Sequence, residues 1–248
     1  MTKHYNSNKA LYDAKKILAQ IVTDVVNLED INYTVPEVQT LLDGITVGGH
    51  KIQDELITVN QIKAWKFLFI SIEEGTFSVN KNFILQLHAI VANQEALTWG
   101  EFRTGNVNIS GTSYTPPNAS KLNELWGELE LEIETILSFN NLNDSVLNID
   151  RVTNTYSAAI NLFAKMARSQ FFFDGNKRTA RMMMSGVLLS HGYPMINVPA
   201  ARKLEFNQVM INYYNTQQWQ IVYSFLISCI HKSIIEEYNL QILTNHII

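Results

Sequence analysis

The amino-acid sequence predicts an all-α protein that carries one small β-hairpin. Apolar residues recur at three- and four-residue steps through most of the chain, which is the spacing of one face of a helix. Only 11 Gly and 5 Pro occur in 248 residues, and this scarcity disfavours a turn-rich β sandwich or barrel. Apolar residues make up 46% of the chain, which is enough to bury one sizeable core.

Four helices are predicted in the first part of the chain. Leu11, Ala14 and Leu18 begin the apolar stripe of the first helix. Pro36 suits the first turn of a short second helix, and Gly75 suits the C-cap of the third. The four helices are expected over about residues 8–28, from the N-cap Thr34, over about residues 52–74, and from the N-cap Ser78.

The segment 97–117 differs from the rest of the chain, because it contains three Gly and two Pro and no helical stripe runs through it. Val107 and Ile109 alternate there with Asn108 and Ser110, and a Gly-Thr pair that favours a turn follows. Alternation with period two followed by a turn predicts a small hairpin, which we call the flap.

Helical periodicity returns after the flap and continues almost to the end of the chain. No internal repeat, low-complexity tract or linker interrupts it. We expect residues 1–75 to form an N-terminal helical region and residues 76–248 to form the core domain, with the two packed as one globular unit. The later helices are predicted over about residues 120–137, 150–168, 176–190, 199–214 and 216–237.

Composition excludes several classes of protein. Nineteen Lys and Arg against 23 Asp and Glu give a net charge of -4 and a pI near 5.9, which is not typical of a general nucleic-acid binder. Cys229 is the only cysteine, so an internal disulfide is excluded. No stretch reaches the roughly 18 apolar residues of a membrane-spanning helix. We therefore expect a cytoplasmic protein without nucleic-acid or membrane partners.

The segment with chemical character is QFFFDGNKRTAR, residues 170–181. Asp174 and Gly175 form a turn signal before a helix whose first turns carry Lys177, Arg178 and Arg181. Cations at a helix N-terminus oppose the helix dipole, so this cluster is favourable where an anion such as phosphate binds. Asp174 offers an oxygen ligand for the Mg²⁺ that accompanies a phosphate. A turn followed by a solvated basic helix face is the alternative.

This segment resembles the signature of the Fic family, His-Pro-Phe-x-Asp-Gly-Asn-(Gly/Lys)-Arg-x-x-Arg. The flap GEFRTGNVNISGTSYTPP and the later stretch INVPAARKLEFNQVMINYY are also similar to that family, and the resemblance covers roughly residues 25 to 230. It implies a Fic-type helical bundle. The positions of the signature that match are Phe172, Asp174, Gly175, Asn176, Lys177, Arg178 and Arg181.

The resemblance implies a protein adenylyltransferase, which transfers the AMP of ATP to a hydroxyl side chain of a target protein. ATP and Mg²⁺ are then the expected cofactors, and Asp174 would hold the metal. The nucleotide phosphates would be bound by Gly175, Asn176, Lys177, Arg178 and Arg181. The target segment would pair with the flap, at Val107, Asn108, Ile109 and Ser110.

Gln170 stands where the family has the His that acts as general base. A carboxamide does not take up a proton near neutral pH, so general-base catalysis from this position is expected to be lost. Its contribution to the rate is typically about 10²- to 10⁴-fold. His191 lies too far along its helix to substitute, and His88 is expected to be a packing residue in an apolar helix. The family Pro is Phe171 here. Phe171 to Phe173 are expected to pack into the core.

Two further departures leave alternatives open. Lys177 occurs where the Doc-like branch of the family also has Lys, and that branch transfers the γ-phosphate. A segment that resembles the family's inhibitory helix ends at Glu29, which would pair with Arg181 and impede ATP, but its flanking positions, Val25 and Asp30, do not match. Glu29 is therefore either inhibitory or a solvated carboxylate at a helix end.

Four functions remain after these departures. They are an impaired adenylyltransferase, a non-catalytic nucleotide-binding protein that acts through a partner, a Doc-like phosphotransferase, and an interaction module without a nucleotide. Asp174, Asn176, Arg178 and Arg181 are all present, and this favours the first two functions over the interaction module. The oligomeric state stays open.

Overall fold

The computed structural model describes residues 7–138 and 148–244, and within these ranges every regular element is a helix. The predicted all-α class is confirmed. No helix in the described ranges combines the length and the apolar composition that crossing a membrane requires. The helices are α1 (Ser7–Lys16), α2 (Leu18–Leu28), α3 (Val35–Leu42), α4 (Ile52–Glu73), α5 (Lys81–Val91), α6 (Leu122–Ser138), α7 (Asn148–Ser169), α8 (Asn176–Ser190), α9 (Lys203–Thr216), α10 (Trp219–Ser228), α11 (Lys232–Glu237) and α12 (Gln241–Thr244).

Two of the predicted helices are each divided in two. The helix expected over residues 8–28 is interrupted at Ile17, whose N–H donates to the carbonyl of Ala14, three residues back, as in a 3₁₀ turn. The helix expected over residues 216–237 is interrupted before His231, which caps α11 by accepting a hydrogen bond from the N–H of Ser233. Neither break was visible in the apolar periodicity, because the one residue between α1 and α2 and the three residues between α10 and α11 hardly shift the stripe.

The caps of α3 and α5 show where local chemistry sets a helix start. Thr34 and Glu37 form a reciprocal capping box, so the predicted N-cap of α3 is confirmed. The predicted N-cap Ser78 is wrong. Asn80 caps α5 by accepting a hydrogen bond from the N–H of Phe83, and Ser78 only accepts one from the Asn80 side chain.

The predicted hairpin is wrong as well. Residues 104–118 form an irregular loop, and no strand is present in the described part of the chain. A hairpin is held by backbone hydrogen bonds between its two strands, whereas this loop is held by side chains. Arg103 donates to the carbonyl oxygens of both Gly105 and Pro117, and Thr112 donates to Asn215 on α9. We keep the name flap for this loop.

Helix α8 lies in the middle of the protein and is buried along almost its whole length. It packs mainly on α7 and also on α4 and α5. The hydrophobic core around it includes residues from both sides of the predicted boundary at residue 75, such as Val22 and Leu188. The boundary itself stays a prediction.

His88 lies on α5 and is fully buried, as expected of a packing residue. Its Nδ1 accepts a hydrogen bond from the N–H of Gly100, so the proton is on Nε2, which donates to the carbonyl of Asp174. The ring also stacks on Phe172, with 3.6 Å between centroids. His88 therefore fixes the loop before α8 to the segment that leads into the flap.

Gly186 is where α8 approaches its neighbours most closely. A Cβ at this position would overlap the ring of Phe77. We expect Gly186→Ala to destabilise the protein by about 1–2 kcal/mol, because the cost of overpacking exceeds the gain in helix propensity. Gly127 on α6 is the matched control, since no atom lies within 4 Å of its Cβ position. Gly127→Ala should stabilise by about 0.5–1 kcal/mol in urea unfolding. Equal effects at the two positions would contradict this account of the packing.

His88 should make the stability depend on pH. Burial lowers its pKa from 6.5 to about 4, so the unfolded chain binds a proton at a pH where the folded chain does not. The free energy of unfolding is therefore unaffected by protonation of His88 above pH 6.5 and decreases as the pH falls from 6.5 towards 4. We expect a loss of about 2 kcal/mol between pH 7 and 5, measured by urea unfolding. His88→Gln keeps a donor and an acceptor but cannot titrate, so the loss in that variant should be smaller. An equal loss would rule out His88 as the cause.

Candidate functional site

The loop between α7 and α8 contains most of the predicted site residues. The chain leaves α7 through Gln170 and enters α8 through Gly175, and both have left-handed backbones, with φ of 50° and 71°. The left-handed backbone favours glycine at 175, where a Cβ would lie in van der Waals contact with His88, 3.4 Å from its Nε2. Phe171 and Phe172 are buried below the loop, as predicted, whereas Phe173 is half-buried.

Asn176 holds the loop together from within. Its side chain accepts a hydrogen bond from the N–H of Phe172 and donates to the carbonyl of Phe172 and to Oε1 of Gln170. The Gln170 amide in turn donates to the carbonyl of Ala167 at 2.6 Å. Both functional groups of Gln170 are thus engaged within the loop, and the carboxamide has the role of a structural brace.

Arg103 supports the same loop from outside, a contribution that the sequence did not reveal. It is buried, and its Nε donates to the carbonyl of Gln170 at 2.6 Å while its other nitrogens hold Gly105 and Pro117. One guanidinium therefore joins the loop to both ends of the flap. Arg103 is the Arg of the GEFR motif, which is part of the resemblance to the Fic family, but no role for this residue followed from the sequence.

Arg178 and Arg181 are buried on the first turns of α8, each with a side chain 5% exposed. The alternative of a solvated basic helix face is therefore wrong for both arginines. Lys177 is more open, at 30% exposure. Burying two guanidinium groups is unfavourable unless acceptors or anions lie against them.

Arg178 is fully compensated by Glu95, a partner that the sequence analysis missed. Its Nη1 and Nη2 donate to the two carboxylate oxygens of Glu95 at 2.7 and 2.5 Å. Burial alone would lower the pKa of Arg178, but the hydrogen bonds and the charge of Glu95 raise it. No local pattern signals this pair, because the two residues are 83 positions apart.

Arg181 is compensated only in part. Its Nη2 lies 3.3 Å from Glu29, and its Nε and Nη1 are buried without any hydrogen-bond partner. Burial lowers the pKa of Arg181, and the neighbouring charge of Arg178 adds to this effect. Glu29, at the end of α2, also lies 3.6 Å from Lys177. The contact between Glu29 and Arg181 is thus present, and Glu29 is not a free solvated carboxylate.

A cavity of about 80 Å³ opens at the N-terminus of α8. No side chain caps this helix end, so its first N–H groups face the cavity region uncapped. The positive helix end and the basic side chains give the cavity the chemistry of an anion site. Its lining residues are Glu29, Gln170, Phe173, Asp174, Gly175, Asn176, Lys177 and Arg178.

Asp174 is the one candidate metal ligand in the cavity wall whose side chain is well exposed, at 59%. Its Oδ1 accepts the N–H of Gly175 at 2.6 Å. The described residues contain no cluster of three metal-ligating side chains. A single exposed carboxylate suits Mg²⁺ that keeps waters and phosphate oxygens as its other ligands, and does not suit an all-protein metal site.

The flap begins beside the cavity and its tip lies on α9. At its start, a Cβ on Gly105 would lie 3.4 Å from the ring of Phe173, which lines the cavity, and at its tip a Cβ on Gly111 would lie 3.6 Å from Ile211. Between these points Val107 and Ile109 are half-buried while Asn108 and Ser110 are exposed. The predicted alternation of side chains is therefore present in a segment that belongs to no regular element.

Comparison with known proteins agrees with this geometry. A model described as the Fic/DOC family matches residues 78–188. Proteins named protein adenylyltransferase Fic from Drosophila erecta and Drosophila mojavensis are 26% identical over 207 and 205 residues, which covers 82% of this chain and 38% of each relative. The chain thus spans well under half the length of these relatives.

Solved structures share the whole arrangement of helices. A Fic domain containing signaling protein from Bacteroides thetaiotaomicron superposes with a TM-score of 0.71 at 18% identity, over 95% of this chain and 88% of that one. Fic-1 from C. elegans superposes with a TM-score of 0.68 at 17% identity, over 92% of this chain and 64% of that one. At these identities the likeness concerns the fold. Together with the match over residues 78–188, these findings show that the chain is similar to proteins of the Fic/DOC family and shares their fold.

Proposed function

We propose that the cavity at the start of α8 binds the phosphates of ATP, and that the domain is a protein adenylyltransferase whose transfer step is slow. One observation carries the proposal: Arg181 does not itself line the cavity but pairs with Glu29, which does, and its buried Nε and Nη1 have no hydrogen-bond partner among the described residues. An unsatisfied buried guanidinium is costly, and phosphate oxygens are the acceptors that match its fork of N–H groups. The adenylyltransferases named among the relatives support the nature of the reaction.

The described residues fit Mg²⁺-ATP in charge and in ligand type. Asp174 would hold the metal with one carboxylate, and the uncapped N–H groups of α8 with Lys177 would contact phosphate oxygens. Bound Mg²⁺ would supply charge neutralisation at the phosphates. The cavity is smaller than the 300 Å³ or more typical of small-molecule pockets, so it accommodates the phosphate end of the nucleotide.

Gln170 sets the limit on transfer. Its carboxamide takes up no proton, and it is held by Ala167 and Asn176. The hydroxyl proton of a target residue would therefore leave to water or to a phosphate oxygen. The flap would place that target by backbone pairing at Val107, Asn108, Ile109 and Ser110, which belong to no strand or helix.

Nucleotide binding without transfer is the second candidate, and the bracing role of Gln170 favours it. In that case the nucleotide would regulate contact with a partner protein. A Doc-like phosphotransferase ranks lower. Lys177 is the position that favours it, and this lysine is paired with Glu29, while the other positions suit the adenylyl reaction as well. Transfer of label from α- or γ-labelled ATP separates the two enzymatic reactions.

Glu29 would act as an inhibitory residue in this site. It lines the cavity and lies against both Arg181 and Lys177, so it occupies the side where phosphate oxygens would bind. The nearby cations outweigh the effect of burial and lower the pKa of Glu29, so it is charged at neutral pH. ATP must therefore displace a carboxylate before it reaches Arg181.

We expect Glu29→Gly to strengthen Mg²⁺-ATP binding about tenfold and Arg181→Ala to abolish it, measured by isothermal titration calorimetry. Arg202→Ala is the control for loss of one arginine, because Arg202 pairs with Glu205 on the surface, away from the cavity. Unchanged affinity in Arg181→Ala would contradict the phosphate site. Unchanged affinity in Glu29→Gly would contradict the inhibitory role of Glu29 and leave the phosphate site untouched.

Restoring the general base should restore transfer. We expect Gln170→His to raise incorporation of α-labelled AMP into an acceptor protein by about 10²- to 10⁴-fold, because an imidazole at this position can take the hydroxyl proton. Gln170→Asn is the control, since it changes the side chain without introducing a base. Equal incorporation in both variants, with ATP binding intact, would mean that the chain binds nucleotide without transferring it.

A further inference from the structure

Glu95 lies behind the candidate site and does not line the cavity. It follows the C-terminal end of α5, where its N–H donates to the carbonyl of Ala92 at 3.1 Å, and its side chain is 11% exposed. Both of its oxygens accept from Arg178. Arg178 itself lines the cavity, so the guanidinium lies between the carboxylate and the place where an anion would bind.

The pairing leaves Arg178 able to bind a second partner. A guanidinium has five N–H donors, and the fork to Glu95 uses one on Nη1 and one on Nη2. The remaining donors include the second one on Nη2, which lies 3.5 Å from Oδ1 of Asp174. Arg178 can therefore hold Glu95 and contact phosphate oxygens at the same time.

Glu29 and Glu95 have opposite relations to the cavity. Glu29 lines it and contacts Arg181 through one long hydrogen bond of 3.3 Å, which is the geometry of a group that an anion can displace. Glu95 makes two short bonds from outside the cavity, and an anion cannot replace it without entering the core. Without Glu95, the buried guanidinium would have Asp174 as its nearest carboxylate, and pairing there would occupy the metal ligand.

We infer that Glu95 is a positioning residue for phosphate recognition: it fixes Arg178 beside the cavity and keeps its 3.5 Å contact with Asp174 from closing into a full ion pair. The inference rests on the proposed function, because the ligand that Arg178 would contact is the nucleotide phosphate. In this inference, α5 and the turn after it support the site at two points. His88 donates to the carbonyl of Asp174, and Glu95 accepts from Arg178.

The test compares Glu95→Asp, which keeps the charge and shortens the side chain by one methylene, with Glu95→Gln, which keeps the length and removes the charge. Positioning depends on geometry, so Glu95→Asp should weaken Mg²⁺-ATP binding about tenfold in calorimetry, and Glu95→Gln should bind no more tightly than the unchanged protein. In an Arg178→Ala background, Glu95→Asp should have no further effect.

Three results would overturn the inference. Tighter binding in Glu95→Gln together with unchanged binding in Glu95→Asp would make Glu95 an electrostatic competitor of the phosphate. An effect of Glu95→Asp that persists in Arg178→Ala would mean that Glu95 acts on something other than Arg178. A Glu95→Asp protein that binds ATP normally in the intact background would exclude positioning directly.

A second readout works without nucleotide. The Nη–Hη resonances of Arg178, assigned through Arg178→Lys, should be protected from solvent exchange in the unchanged protein and lose protection in Glu95→Asp and Glu95→Gln, because Glu95 accepts from Nη1 and Nη2. Loss of protection without any ATP binding in the unchanged protein would contradict the phosphate site while leaving Glu95 as the residue that fixes Arg178. Unchanged protection in both variants would overturn the inference.

Discussion

Burying two guanidinium groups at the start of α8 is the constraint on which the rest of the site depends. A charged group removed from water needs acceptors at close range, and the chain supplies them unequally. Arg178 receives a complete carboxylate fork from Glu95, whereas Arg181 receives one long contact from Glu29 and keeps two buried nitrogens without a partner among the described residues. The first arrangement is that of a fixed structural charge. The second leaves buried N–H groups that could still donate to a hydrogen-bond partner.

The loop that presents these charges is held by side chains from distant parts of the chain. Arg103 binds the carbonyl of Gln170, His88 binds the carbonyl of Asp174, and Asn176 closes the loop from within. Two residues in left-handed conformation, Gln170 and Gly175, allow the sharp turn between α7 and α8. Such a turn has few backbone hydrogen bonds of its own, so its carbonyl groups need these partners. Arg103 also joins the loop to the flap, so the proposed nucleotide and target sites would lie side by side.

Gln170 is a hydrogen-bonding brace at the position where the Fic signature has His. The amide accepts from Asn176 and donates to Ala167, so it stabilises the loop. A carboxamide takes up no proton near neutral pH, so under the proposed function proton transfer would be lost while the phosphate-binding groups of the loop would remain. Glu29 adds a second restraint, since it lies on the side of Arg181 that phosphate would approach. Slow transfer and regulated nucleotide binding are therefore compatible with one geometry.

Local patterns in the sequence determined the helical class, the cap at Thr34 and the start of α8 at Asn176. These features depend on residues within a few positions of one another, and apolar spacing or turn chemistry reports them directly. The breaks at Ile17 and before His231 escaped, because one to three irregular residues leave the apolar stripe nearly unchanged. The hairpin was wrong because alternation predicts an extended chain, not the hydrogen bonds of a partner strand. Only the tertiary structure decided that Arg178 pairs with Glu95, that Nε and Nη1 of Arg181 lack acceptors among the described residues, and that Arg103 and His88 hold the loop. Those pairs lie 67 to 86 residues apart, and such contacts depend on how helices pack, which no local pattern encodes.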